Sequence, residues 1–239
     1  MRPDEPGVRL GRMTGPAGPV PHDAVVFDCD GTLVDTETSW DSAYRQLFDH
    51  YGVPLDPRAR TRLVGLQLRE LGHALAVLLG HPEPPETLAR TVYELVCGGI
   101  GSGVAALPGA VELVTALHGT RPLAVATNTP AEIVAGYLDG IGLRAAFDVV
   151  VDCVSAGAPK PSPVPYLRAC GALGVHPRRA VAVEDSANGV AAARVAGMYV
   201  IGVPSHPDVT LDADLRAATL LDPPVWQALG LPSPATVPA

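Results

Sequence analysis

The run Ala24-Val25-Val26-Phe27 is apolar at every position, and Asp28 and Asp30 follow it at once. A short apolar run without alternation is the pattern of a strand buried on both faces. AVVFDCD, residues 24–30, is therefore predicted as a buried strand. Beyond residue 38 the period changes. Trp40, Tyr44, Leu47 and Phe48 recur at helical spacing until Gly52 stops them. PRARTRLVGLQLRELGHALAVLLG, residues 57–80, and PPETLARTVYELVCG, residues 84–98, carry the same period, the first broken near Gly65. No strand candidate lies in that block. GGIGSGVAALPG, residues 98–109, reads as a hinge. As a phosphate-binding loop it would need a strand before it and a Lys-Ser/Thr pair to close it.

From residue 110 helix and strand alternate. Helices are predicted at 110–119, 131–142, 164–174 and 188–197, and strands at 122–128, 147–152, 180–185 and 199–203. Short connections between such units imply right-handed crossovers and a parallel sheet covered on both faces. The fold class expected is α/β, a doubly wound parallel sheet with an inserted helical domain. Residues 1–21, with five prolines, read as a flexible tail. Residues 22–38 and 106–239 form the core domain, and 39–105 the helical insert. Trp226 and Leu229, in the Pro-rich end of the chain, are expected to dock on the core.

Composition narrows the partners. An apolar fraction of 47% with 18% charged residues describes a globular chain, and 5% aromatics leave Ala, Val and Leu to build its core. The net charge of -8 argues against nonspecific contact with nucleic acid or an anionic membrane. The N-terminal stretch has acids and prolines rather than a secretory pattern, and the long uncharged runs, 95–111 and 223–239, are interrupted by Gly or Pro. The four cysteines form no C-x-x-C pair, which argues against structural zinc. The expectation is a cytoplasmic protein with reduced cysteines, a monomer or weak homodimer, with no nucleic acid and no membrane among its partners.

Ligands of an open parallel sheet sit beyond the carboxyl ends of its strands. Polar residues of this chain gather there: Asp28 and Asp30, Thr127 and Asn128, Lys160 in APKPSP, Glu184 and Asp185. A single Asp or Thr at a strand end is ordinarily a helix cap. Four strand ends so furnished point to one site. Carboxylates packed this closely repel unless a cation lies among them, and an all-oxygen set suits Mg²⁺, which keeps a substrate phosphate in its shell. Lys160 and Thr127 would then hold phosphoryl oxygens. Residues i and i+2 of a strand face one side. One aspartate can thus attack phosphorus while its neighbour handles the proton of the leaving oxygen. A calcium loop would place its glycine at position six beside a helix, unlike Gly31 here.

Taken together, DCDGTLVDTE, ATNT, KPSP and VEDSANGVAAARVAGM resemble, in order and spacing, the four motifs of the haloacid dehalogenase (HAD) superfamily. The resemblance spans residues 24–203. It implies a Rossmann-like core with a small α-helical cap, Asp28 as nucleophile and Asp30 as general acid/base. It implies Thr127 and Lys160 as phosphate binders. Mg²⁺ would be held by the Asp28 carboxylate, the Asp30 carbonyl and Asp185, with Glu184 supporting through water. The dehalogenases and phosphonatases of the family lack the second acid, so Asp30 implies phosphate-ester chemistry. The β-phosphoglucomutase branch has a His where Trp40 stands, and DTETSWD is similar to sugar-phosphate phosphatases. Val164 departs from the Asp that often follows the third motif. The expected activity is a Mg²⁺-dependent phosphatase acting through an aspartyl-phosphate on a small phosphorylated sugar, polyol or sugar-like metabolite. The alternatives are a phosphomutase and, outside catalysis, a sugar-phosphate sensor or scaffold. By analogy Gln67 and Arg69, with His73, would face the substrate; Arg69 and His73 also read as solvated helix residues, and Glu37, at the neck between the domains, as a substrate-binding or hinge residue. Trp40 reads as packing, Asn128 as phosphate binding or loop support, and Ser186 and Asn188 as helix caps.

Overall fold

The computed structural model describes residues 22–63, 66, 68–99, 104–205 and 209–234. The predicted tail and Gln67 lie outside them, as do the side chain of Glu37 and the centre of the hinge. Eight strands are present among the described residues: β1 (Ala24–Phe27), β2 (Val34–Asp35), β3 (Ala105–Ala106), β4 (Leu123–Ala126), β5 (Val149–Val151), β6 (Ala180–Glu184), β7 (Tyr199–Gly202) and β8 (Leu215–Arg216). The helices are α1 (Glu37–His50), α2 (Pro57–Leu63), α3 (Leu68–Leu79), α4 (Pro85–Gly99), α5 (Ala110–Leu117), α6 (Ala131–Gly140), α7 (Cys153–Ala156), α8 (Val164–Ala172), α9 (Ala187–Ala196) and α10 (Pro223–Ala228). Six strands form one parallel sheet in the order β5-β4-β1-β6-β7-β8.

The fully apolar runs lie where the sheet is buried on both faces. Val26 of the central strand pairs with Ala124 on one side and Ala182 on the other. Alternation along these strands sorts their side chains into two cores. Ala24, Val26, Ala124, Ala126, Ala180 and Ala182 face Tyr166, Cys170, Val190 and Ala193 of α8 and α9. Val25, Phe27, Leu123, Val125, Val181 and Val183 share the other core with α5, α6 and α10. Alanine on the first face shortens the reach from sheet to helix, which is how a chain poor in aromatics fills its interior. Trp226 and Leu229 are buried in the second core, and Trp226 Nε1 donates to the Leu220 carbonyl at 2.8 Å.

Helices α1 to α4 lie together between β2 and β3, α4 packing on α1 and on α3. β2 and β3 pair antiparallel, Val34 with Ala106 and Asp35 with Ala105, as a short ribbon where the chain leaves the sheet and returns. The long predicted helix is two, α2 and α3, as the interruption near Gly65 suggested. The first strand ends at Phe27 rather than residue 30, because the amides of Thr32, Leu33 and Val34 all turn back onto the Cys29 carbonyl. The ribbon, β8 and α7 were not predicted.

Candidate active site

β1 delivers Asp28 to the carboxyl edge of the sheet, its amide continuing the ladder to the Val183 carbonyl at 2.9 Å. β6 delivers Glu184 and Asp185 beside it, and the loop before α8 brings Lys160 between them. Lys160, the only lysine of the chain, is 2% exposed. Its Nζ donates to Asp28 Oδ1 at 2.6 Å and to Glu184 Oε1 at 2.5 Å. Burial alone would lower its pKa, but the carboxylates of Asp28 and Glu184 outweigh this and raise it, so Lys160 is a fixed cation.

Asp30, two residues beyond Asp28, is held by threonines. Its Oδ2 accepts from the Thr127 hydroxyl at 3.3 Å, and that hydroxyl accepts in turn from the Thr129 amide at 3.0 Å. Loss of hydration raises the Asp30 pKa against the hydrogen bonds from Thr129, Thr36 and Thr127. Its Oδ1 is buried with no hydrogen-bond partner among the described residues. Such an oxygen costs free energy unless a ligand meets it. Asn128 grips the Lys160 backbone from both ends: the Lys160 amide donates to Asn128 Oδ1 at 2.8 Å, and Asn128 Nδ2 donates to the Lys160 carbonyl at 3.3 Å. Its side chain thus fixes the loop that carries the ammonium.

Asp28, Glu184 and Asp185 each offer an oxygen within 4.8 Å of the others. All three are buried. Burial raises the Asp28 pKa well above the carboxylate range despite Lys160, and burial together with the Glu184 charge pushes Asp185 up to about 7. The negative charge exceeds what one lysine offsets, and the donors are all oxygen, which suits a hard divalent cation. Gly31 makes room here. It has φ +78°, and a Cβ on it would stand 2.3 Å from Asp185 Oδ2. Glu184 is differently placed. Its Oε1 accepts from Lys160 and the Tyr166 hydroxyl, and its Oε2 accepts from the amides of Asp185 and Ser186 and the Ser186 hydroxyl. It is saturated by protein donors.

The remaining predicted residues separate from this group. Ser186 caps α9, accepting from the Gly189 amide at 3.1 Å, whereas Asn188 lies exposed in the first turn. Trp40 is half-buried and packs on Tyr44, ring centroids 6.0 Å apart. Arg69 and His73 line a cavity of about 300 Å³ with Pro85, Glu86 and Ala89, between α3 and α4, and none of the strand-end residues lines it. Glu37 begins α1. Sequence reasoning missed Tyr166, Thr36, Thr129 and Ser205, whose hydroxyls touch the carboxylates. Each is a common residue whose contact is made only by tertiary folding.

A family profile for haloacid dehalogenase-like hydrolases matches residues 22–197. The fructose-1-phosphate phosphatase YqaB of Escherichia coli K12 is 36% identical over 179 residues, covering 75% of this chain and 95% of its own. The validoxylamine A 7'-phosphate phosphatase of Streptomyces hygroscopicus subsp. limoneus is 31% identical, covering 77% of this chain and 86% of its own. Among solved structures, CbbY from Rhodobacter sphaeroides in complex with phosphate superposes with a TM-score of 0.73 at 30% identity, covering 83% of this chain and 95% of that one. No described helix is long and apolar enough to cross a membrane.

Proposed function

The chain belongs to the haloacid dehalogenase-like hydrolase family and is one of its phosphatases, and from that premise we propose that it hydrolyses a small phosphorylated sugar, polyol or sugar-like metabolite through an aspartyl-phosphate on Asp28. The observation that carries the reading is the Asp28–Lys160 contact of 2.6 Å, at the edge where Asp30, Thr127 and Asp185 also converge.

Asp28 attacks phosphorus with a carboxylate oxygen, and the bond from phosphorus to the leaving alkoxide breaks. Asp30 gives its proton to that alkoxide. Its raised pKa suits the protonated state this requires. Water then attacks the phosphorus of the aspartyl-phosphate, Asp30 takes its proton, and inorganic phosphate leaves with Asp28 restored. Lys160 and Thr127 hold phosphoryl oxygens as charge spreads over them. Asp28, Asp185 and the Asp30 carbonyl would hold Mg²⁺, and Glu184 supports them from behind. Bound there, Mg²⁺ would neutralise phosphoryl charge. Residues 39–105 act as the cap that shields the site from water and, through Gln67 and Arg69, chooses among substrates, with Glu37 at the neck between cap and core. The substrate class follows the relatives, which are named for fructose 1-phosphate and validoxylamine A 7'-phosphate.

The test is phosphate release from phosphorylated sugars, polyols, cyclitols and phosphoglycolate, with and without Mg²⁺, for the native chain and Asp28→Asn. Release should need the metal, and Asp28→Asn should lower kcat by roughly a thousandfold or more with its far-UV spectrum unchanged. Substantial turnover by Asp28→Asn would refute its role. Bisphosphate-dependent isomer conversion with little phosphate release would indicate the mutase instead.

A further inference from the structure

Tyr166 is fully buried on α8, one turn into the helix that follows the Lys160 loop. Its hydroxyl donates to Glu184 Oε1 at 2.6 Å, the same oxygen that receives Lys160 Nζ at 2.5 Å. Its ring lies beneath the ammonium, 4.9 Å from Nζ to the centroid. Lys160 therefore stands between two carboxylates, Glu184 behind it and Asp28 in front. A carboxylate oxygen that already accepts one strong hydrogen bond attracts a second donor less. The phenol offsets part of the Glu184 charge, and the ring face favours a cation at that height.

We propose that Tyr166 is a positioning residue for this reaction, whose hydroxyl shares Glu184 Oε1 so that Lys160 remains shared with Asp28 instead of settling on Glu184 alone. The inference rests on the reading of Asp28 as nucleophile and Lys160 as phosphate clamp. Without the hydroxyl, Oε1 has one donor fewer and draws the ammonium back. The cation then leaves the place where the phosphoryl oxygens arrive, and small displacements of such groups slow the chemical step.

Tyr166→Phe tests this, because it keeps the ring and removes one oxygen. With a single lysine in the chain, protein grown on isotope-labelled lysine gives one lysine side-chain NMR signal. In Tyr166→Phe that signal should shift, and kcat should fall about tenfold while KM changes less than about twofold. 3-Fluorotyrosine placed at 166, a stronger donor that keeps the packing, should move the signal in the opposite direction. An unmoved signal, a shift in the same direction for both variants, or kcat within about twofold of native would overturn the proposal. A native protein that releases no phosphate would instead sink the phosphatase reading, and the lysine signal would still decide whether Tyr166 holds the cation.

Discussion

Glu184 can accept five donors because nothing separates it from α9. Gly189 has no Cβ, and one placed there would lie 1.8 Å from Glu184 Oε1 and 2.0 Å from Oε2. Gly189→Ala must therefore push the carboxylate off Lys160 and Tyr166, leaving a buried charge short of partners. The expected loss is roughly 3–5 kcal/mol of stability together with most of the activity, read by thermal unfolding and phosphate release on one preparation. Near-native values for both would mean that Glu184 is not packed against the helix. At this scale the sequence announced the acids and the lysine, because strand ends bring polar residues to one edge whatever lies between them. It did not announce Tyr166. In VPYLRACGALG a buried tyrosine has the spacing of any core residue, and its hydroxyl finds Glu184 only when α8 folds onto the sheet.

Asp152 shows how single elements hold the loops that carry the site. Its carboxylate caps α7, accepting from the Ser155 amide at 2.5 Å, and its other oxygen accepts from the Ala131 amide at the start of α6, 2.9 Å away. Burial alone would raise its pKa, but the hydrogen bonds from Ser155 and Ala131 outweigh this and hold it below the ordinary value. A carboxyl depressed in the folded state stabilises fully above its unfolded pKa of about 4 and loses that contribution as pH falls through the folded value. Asp152→Ala should therefore cost about 1–2 kcal/mol at neutral pH, and the gap to the native protein should close below about pH 4. Parallel denaturant titrations would show it, and a gap that stayed constant with pH would contradict the ionic origin. The alternation of β and α from residue 110 onward was readable because β4 to β7 are runs without a charged residue until Glu184 closes β6. β2, β3 and β8 were not, since two residues hold no period. α7 was missed for the same reason, although Asp152 and Ser155 have the spacing of a capping box.

The molecule joins a parallel sheet to a block of four inserted helices. The sheet, with helices on both faces, sets the positions of Asp28, Asp30, Thr127, Lys160, Glu184 and Asp185, while α1 to α4 depart after β2 and return through β3. If those helices choose the substrate, as proposed above, changes among them should reorder preference without touching the metal. Arg69→Ala should shift the ratio of kcat/KM between two sugar phosphates by about tenfold while the Mg²⁺ concentration for half-maximal rate stays the same. An equal loss on all substrates would remove Arg69 from recognition. The helical character of 39–97 was evident from its period, but which side chains meet the substrate was not, because an exposed arginine has the same pattern whether it meets water or a ligand.

The distribution of cations has a chemical consequence beyond catalysis. Sixteen of the seventeen lysines and arginines are arginines, and the one ε-amine lies sealed between two carboxylates. Reducing sugars condense with exposed lysine amines, and this chain presents none of them. An enzyme that meets sugars at high concentration is thereby spared glycation at lysine, and cross-linkers or supports that couple through lysine would find nothing on its surface to hold.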